Sequence, residues 1–161
     1  MVIQWYGQAC FKIQSGDLTI VIDPFSKEIG LTPPRFKTGL VLITHNHFDH
    51  SNHESLGGDP FLINGPGEYE AQGVYVRGIS AFHDKSQGKE RGLNTIYVLE
   101  MEGIRLAHLG DFGEGTLRNE TLEEMGDIDI LLIPVGGIYT INAEEAARAV
   151  KELEPRFVIP M

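Results

Sequence analysis

The chain has a single cysteine among its 161 residues, so it can form no disulfide within itself. Cys10 reads as a small residue on the inner face of a strand rather than as a reactive thiol. No apolar run approaches the roughly 20 residues that a membrane helix requires, and membrane partners are set aside. The opening residues MVIQWYGQACF contain no basic segment followed by a long apolar one. They do not read as a secretory leader, and a cytoplasmic location is the expectation. Basic residues are scarce as well: 13 Lys and Arg stand against 23 Asp and Glu, a formal charge of -10. Such a surface repels a phosphate backbone, so nucleic acid is not an expected partner. The length suits one domain over residues 1–161 with a hydrophobic core of its own.

The apolar residues fall into short runs. Val2 to Tyr6, Ala9 to Gln14 and Leu18 to Ile22 predict a meander of three strands, with Ser15-Gly16-Asp17 as a turn. Residues 26–37 are too rich in breakers for a helix, and Leu40 to Ile43 is a continuous apolar run of the kind buried on both faces. Phe61 to Ile63, the turn-rich Asn64 to Gly67 and a strand from Val74 follow. Asn94 to Glu100 and Ile104 to Leu109 flank Met101-Glu102-Gly103 as a hairpin. A short helix within Leu117 to Met125, a buried strand within Ile128 to Val135 and a helix over Ala143 to Leu153 capped by Asn142 come next. Phe157 to Met161 reads as a last strand. Early strands followed by alternating strand and helix predict an α/β fold.

Four of the six histidines lie between Thr44 and His53, in THNHFDHSNH. On extended backbone residues i and i+2 point the same way, so His45 and His47 can share one ion, and Asp49 with His50 can turn to a second. Imidazole and carboxylate are ligands for zinc, iron or manganese. A solvated loop does not account for four histidines in nine positions directly after a buried strand. His53 reads as a residue of the following segment, His108 as packing or support, and Asp23 as a loop-fixing carboxylate that requires hydrogen-bond partners.

Asp23-Pro24-Phe25, THNHFDH, His83 after a strand and His108-Leu109-Gly110-Asp111 resemble, in order, the landmarks of the metallo-β-lactamase superfamily. GPGEYE, IPVGG and Val-Ile-Pro-Met are more narrowly similar to its branch of small metal-dependent hydrolases that includes ascorbate-6-phosphate lactonase. The resemblance implies a four-layer αβ/βα sandwich and a mono- or dinuclear site. In it His45, His47 and His83 hold one divalent ion, Asp49 and His50 hold a second, and Asp111 bridges them, with zinc first and manganese or iron as alternatives.

The implied reaction is hydrolysis by metal-bound hydroxide, oriented by Asp49, of a small ester, lactone or phosphoester. Gly110 and Gly113 suit a tight loop carrying Asp111. Lys85, Ser86, Lys89 and Arg91 follow His83 and would meet an anionic small-molecule substrate. In the family a histidine follows the segment matching Val-Ile-Pro-Met, and further strand and helix follow that. The expectation is therefore that the C-terminal part of the fold lies beyond Met161, leaving an uncovered sheet edge through which copies would self-associate. The alternative reading is a metal-binding or self-assembling module with little turnover.

Overall fold

Alternating side chains take the N-terminal segment into three antiparallel strands in the computed structural model, which describes residues 1–161. These are β1 (Val2–Gly7), β2 (Cys10–Ser15) and β3 (Leu18–Ile22). Ile13 lies opposite Ile3 on one side and Ile20 on the other, which fixes the register on a buried face. The apolar run that follows becomes β4 (Leu40–Leu42), parallel to β3, and β5 (Phe61–Ile63) adds parallel to β4. The first sheet thus has the order β1-β2-β3-β4-β5.

The second sheet is built from β6 (Gly67–Ala71), β7 (Val74–Phe82), β8 (Leu93–Met101), β9 (Ile104–His108), β10 (Ile130–Ile133) and β11 (Phe157–Pro160). Its order is β11-β10-β9-β8-β7-β6, antiparallel through β9 and parallel beyond it. Two helices, α1 (Asn119–Met125) and α2 (Ala143–Leu153), separate the last strands. Asn142 accepts from the Glu145 amide while Glu145 reaches back to the Asn142 amide, a reciprocal cap that starts α2 where the sequence places it. No helix is long and apolar enough to cross a membrane.

The sheets meet face to face. Phe11, Ile20, Ile22, Leu40 and Leu42 of the first pack against Val76, Tyr97, Leu99 and Leu132 of the second. Each fully buried aliphatic side chain there contributes about 1.5–3 kcal/mol. The outer face of the second sheet is covered by α1 and α2 through Met125, Ala146, Ala149 and Leu153.

The outer face of the first sheet carries no α-helix. Phe25, Leu56, Ile29 and Phe36 cover Cys10, Val21, Val41 and Ile43 instead, from irregular chain with short 3-10 turns at Lys27–Ile29 and His53–Ser55. The two segments joining the parallel strands carry Gly30, Pro33, Pro34, Gly57, Gly58 and Pro60, which leaves no room for a helix interior. β6 is the strand that sequence patterning passes over. Its residues GEYEA are mostly polar and exposed, because they form the outer edge of the sheet. The opposite edge is β11, where Pro160 is tolerated because only one side of the strand is paired.

Candidate metal centre

The histidine-rich segment starts where β4 ends, and its shape is set by Asp23 at the end of neighbouring β3. Asp23 is 1% exposed, and its backbone sits at φ 47°. Its carboxylate accepts hydrogen bonds from the Thr44 amide (2.8 Å) and the Thr44 hydroxyl (2.7 Å). It also holds His50 Nδ1 at 3.0 Å. A buried acid is thereby fully partnered, and two turns of chain are tied together. With Nδ1 engaged, His50 turns Nε2 inward, 3.4 Å from Asp111 Oδ2 and 3.8 Å from Asp49 Oδ2.

His45 Nδ1 lies 3.0 Å from the Thr44 hydroxyl, whereas its Nε2 is buried without any hydrogen-bond partner. His83 Nε2 lies 3.4 Å from Asp111 Oδ2, and its Nδ1 is the other unpartnered imidazole nitrogen. Ligand atoms of His45, His47 and His83 all lie within 4.8 Å of one another, as do those of His45, His50 and Asp111. His45 belongs to both groups, and Asp111 touches a histidine of each. Asp49 stands at the edge of these triads, its Oδ2 3.5 Å from Gln8 Nε2. Spacing alone pairs Asp49 with His50; in the folded chain the carboxylate nearest His50 Nε2 is that of Asp111.

Electrostatics follow from this packing. Burial, reinforced by neighbouring His50, pushes His45 down to about 3, so its ring is neutral and its free lone pair faces the cluster. Burial and the nearby imidazoles also lower His83. Burial alone would lower His50 too, but the carboxylates of Asp23 and Asp111 outweigh it and raise this group to about 10. Asp111 is lowered to about 2, against its own burial, by the hydrogen bond and charge of His50. Unpaired, buried, neutral imidazole nitrogens converging beside a carboxylate are the donor set of a borderline divalent cation, and the residues present fit one.

Asp111 arrives from the turn after β9. Gly110 has φ 56°, and a β-carbon there would strike Asn94 and come within 2.8 Å of Thr44. Both the backbone angle and the close approach require glycine. A β-carbon at Gly113 would collide with the His83 backbone, so this glycine lets the Asp111 loop lie against the β7 end. Asn94, which sequence reading missed, accepts from the Asp111 amide (3.0 Å) and donates to the Leu109 carbonyl (2.9 Å). Its only sequence signal was a polar residue at the start of an otherwise apolar strand.

His108 is fully buried, with Nε2 2.8 Å from the Ala9 carbonyl and Nδ1 accepting from the Gly110 amide. It ties the β1–β2 turn to the Asp111 turn and lies outside both triads. His53 sits in a 3-10 turn with Nδ1 3.0 Å from the Ser51 carbonyl, also outside them. Cys10 is buried and its thiol is pushed far up by that burial, which leaves it inert.

Two cavities flank the cluster. One of about 270 Å³ is lined by Gln8, Ala9, Asp49, His50, Asp111 and Ile138 among others. The second, about 310 Å³, includes His83, Lys85, Ser86, Arg91 and Tyr139. Ile138, Tyr139 and Thr140 line both and form a partition between them, and no motif in the sequence singles these residues out.

A family model described as the beta-lactamase superfamily domain matches residues 2–161. A protein from Thermococcus onnurineus named as a metal-dependent hydrolase is 33% identical over 189 residues, an alignment covering 99% of this chain and 83% of the relative. A crystal structure of a candidate zinc-dependent hydrolase of the metallo-beta-lactamase superfamily from Thermotoga maritima superposes with a TM-score of 0.83 at 38% identity. That match covers 99% of this chain and 74% of that one. The diiron beta-hydroxylase CmlA from Streptomyces venezuelae shares the fold at 15% identity, with a TM-score of 0.73 over 98% of this chain and 44% of its own. With both sheets, the histidine segment and the Asp111 turn inside the matched region, the chain belongs to the beta-lactamase superfamily and has the metallo-β-lactamase fold.

Proposed function

We propose that this protein is a metal-dependent hydrolase acting on a small ester, lactone or phosphoester. The observation that carries the reading is the convergence of two ligand triads around a buried, unpartnered His45 Nε2. The name of the Thermococcus relative and that of the Thermotoga structure point the same way. His45, with its one free ring nitrogen, would join His47 and His83 in holding one divalent ion, and Asp49 and His50 with Asp111 would hold a second. Zinc suits the donor set best, and manganese or iron is also compatible with it. Such an ion, when bound, acidifies a coordinated water and polarises the bond under attack.

The remaining work falls to the protein. Asp23 and the Thr44 hydroxyl hold Nδ1 of His50 and of His45, so that the Nε2 lone pair of His45 faces the cluster and that of His50 does so once its extra proton is displaced. Asp49 Oδ2 lines the 270 Å³ cavity, where it can take a proton from an attacking water and return it to the leaving group. Ile138 and Tyr139 border the cavity with exposed side chains and offer apolar contact to substrate.

Initial rates with 4-nitrophenyl esters, lactones and phosphodiesters, measured on zinc-loaded and chelator-treated protein, test this reading. It predicts metal-dependent turnover in at least one class, lowered about 10²–10⁴-fold in Asp49→Ala. No metal-dependent turnover in any of the three would reject it, and stoichiometric metal without turnover would favour a metal-binding module.

A further inference from the structure

The cavity beside His83 has a built polar wall. The loop from Asp84 to Arg91 along it is closed at its ends by the His83 amide donating to the Gly92 carbonyl at 3.1 Å. Within the loop the Asp84 carboxylate accepts four backbone N–H groups: Ser86 at 2.8 Å, Gly88 at 2.9 Å, Glu90 at 3.1 Å and Arg91 at 2.8 Å. The residue next to a candidate metal ligand thus fixes the position of Arg91 seven residues on. The other charged groups of the cavity are engaged. Lys85 is paired with Glu145 at 2.5 Å, Glu145 also receives the Asn142 amide, and Glu90 takes the Ser86 hydroxyl at 2.6 Å.

Arg91 is different. Its guanidinium lies 4.1 Å over the centroid of the Tyr139 ring, and its side-chain N–H groups have neither a carboxylate nor a hydrogen-bond acceptor. Stacking reduces the side-chain freedom of a long cation while leaving its planar fork of donors free, the arrangement that recognises a carboxylate or phosphate through two parallel hydrogen bonds. Tyr139 in turn is part of the partition between this cavity and the one that contains Asp49 and Asp111.

We propose that Arg91, stacked on Tyr139, binds an oxyanion carried by the substrate, so that the scissile bond of an anionic ester, lactone or phosphoester lies across the metal centre. The assignment rests on the hydrolase reading for the word substrate; the anion site itself is independent of turnover. A substrate spanning the partition presents its charged end to Arg91 in the polar cavity and its less polar end to Ala9 and Ile138 in the other. Lys85 contributes little, because Glu145 already neutralises it.

The test is a titration of the zinc-loaded protein with inorganic phosphate and, separately, with adipate, followed through the Arg91 Nε–H and Tyr139 ring resonances. Saturable shifts of both groups are expected, with phosphate or adipate binding more tightly according to which oxyanion the site prefers. Affinity should fall about 10- to 100-fold in Arg91→Gln and less in Arg91→Lys, at unchanged zinc content. Shifts absent in the native chain, or affinity the same in Arg91→Gln, would overturn the proposal and place any anion on the metals. Rates on 4-nitrophenyl hydrogen adipate against 4-nitrophenyl hexanoate separate the two readings. Anion binding lost in Arg91→Gln without turnover of either ester refutes the hydrolase alone, whereas turnover with no dependence on Arg91 in either assay refutes the subsite alone.

Discussion

Replacing Asp23 by Asn should disable the His50 side of the metal centre without touching any atom that faces a metal. The Thr44 amide requires an acceptor at 2.8 Å, so the carbonyl oxygen of the new amide stays there and its NH2 takes the place of Oδ2. That NH2 would then point at His50 Nδ1, which Asp23 Oδ2 now holds at 3.0 Å. Two donors cannot face each other, so the imidazole must give up its Nδ1 proton and keep the one on Nε2, the nitrogen 3.4 Å from Asp111. A protonated Nε2 cannot ligate. Loss of such a supporting contact typically weakens metal affinity about 10–100-fold, and a His50 protonated on Nε2 puts this variant at the upper end.

Asn tolerates the φ of 47° at this position, so the loop itself should persist. Zinc competition titrations should show one class of site weakened and the His45–His47–His83 class retained, with long-range proton–nitrogen spectra showing His50 as the Nε2–H tautomer. Unchanged affinity at both classes, or His50 still protonated on Nδ1, would refute the reasoning.

Three further outcomes follow from the same geometry. In the metal-free chain His50 is raised to about 10, so it carries a proton at neutral pH, and an ion entering its triad must displace that proton. Calorimetry in buffers of different ionisation enthalpy should therefore find about one proton released per ion at this triad, with affinity rising about tenfold per pH unit below pH 10; no proton release would contradict it. The stability linkage has the opposite sign. A group raised from 6.5 to about 10 stabilises the metal-free fold fully below pH 6.5 and loses that contribution as pH rises through 10. Urea unfolding of the metal-free chain should show a decline over that window that His50→Gln lacks. Gly110→Ala forces a β-carbon against Asn94 and Thr44 at a positive φ, and should destabilise the chain by roughly 2–4 kcal/mol while weakening metal binding; a loss under 0.5 kcal/mol would show that the turn relaxes freely.

The parts of this molecule that were legible in its sequence are those set by neighbours along the chain. The His45 and His47 spacing, the apolar runs of β3 and β4, and the Asn142–Glu145 cap are local patterns, and the fold realises them where they stand. The strand β6 escaped because an edge strand need not alternate apolar residues, and the helix-free cover of the first sheet follows from glycines and prolines that mark loops without saying what those loops cover. Long-range partnerships were the harder part. Asp23 was expected to find hydrogen bonds, but nothing in Asp23-Pro24-Phe25 shows that they come from Thr44 and His50, 21 and 27 residues away. Asn94 and Tyr139 could not be singled out, because a polar residue at the start of an apolar strand and an exposed tyrosine acquire meaning only when folding sets them beside Asp111 and Arg91.

Metal content is the most direct measurement. After zinc loading at neutral pH and removal of free metal, the native chain should retain at least one divalent ion per molecule by elemental analysis. His47→Ala, which takes away one member of the His45–His47–His83 triad, should retain markedly less while staying folded by circular dichroism. Near-zero metal in both proteins, or equal metal in both, would contradict the claim that these residues form the metal centre.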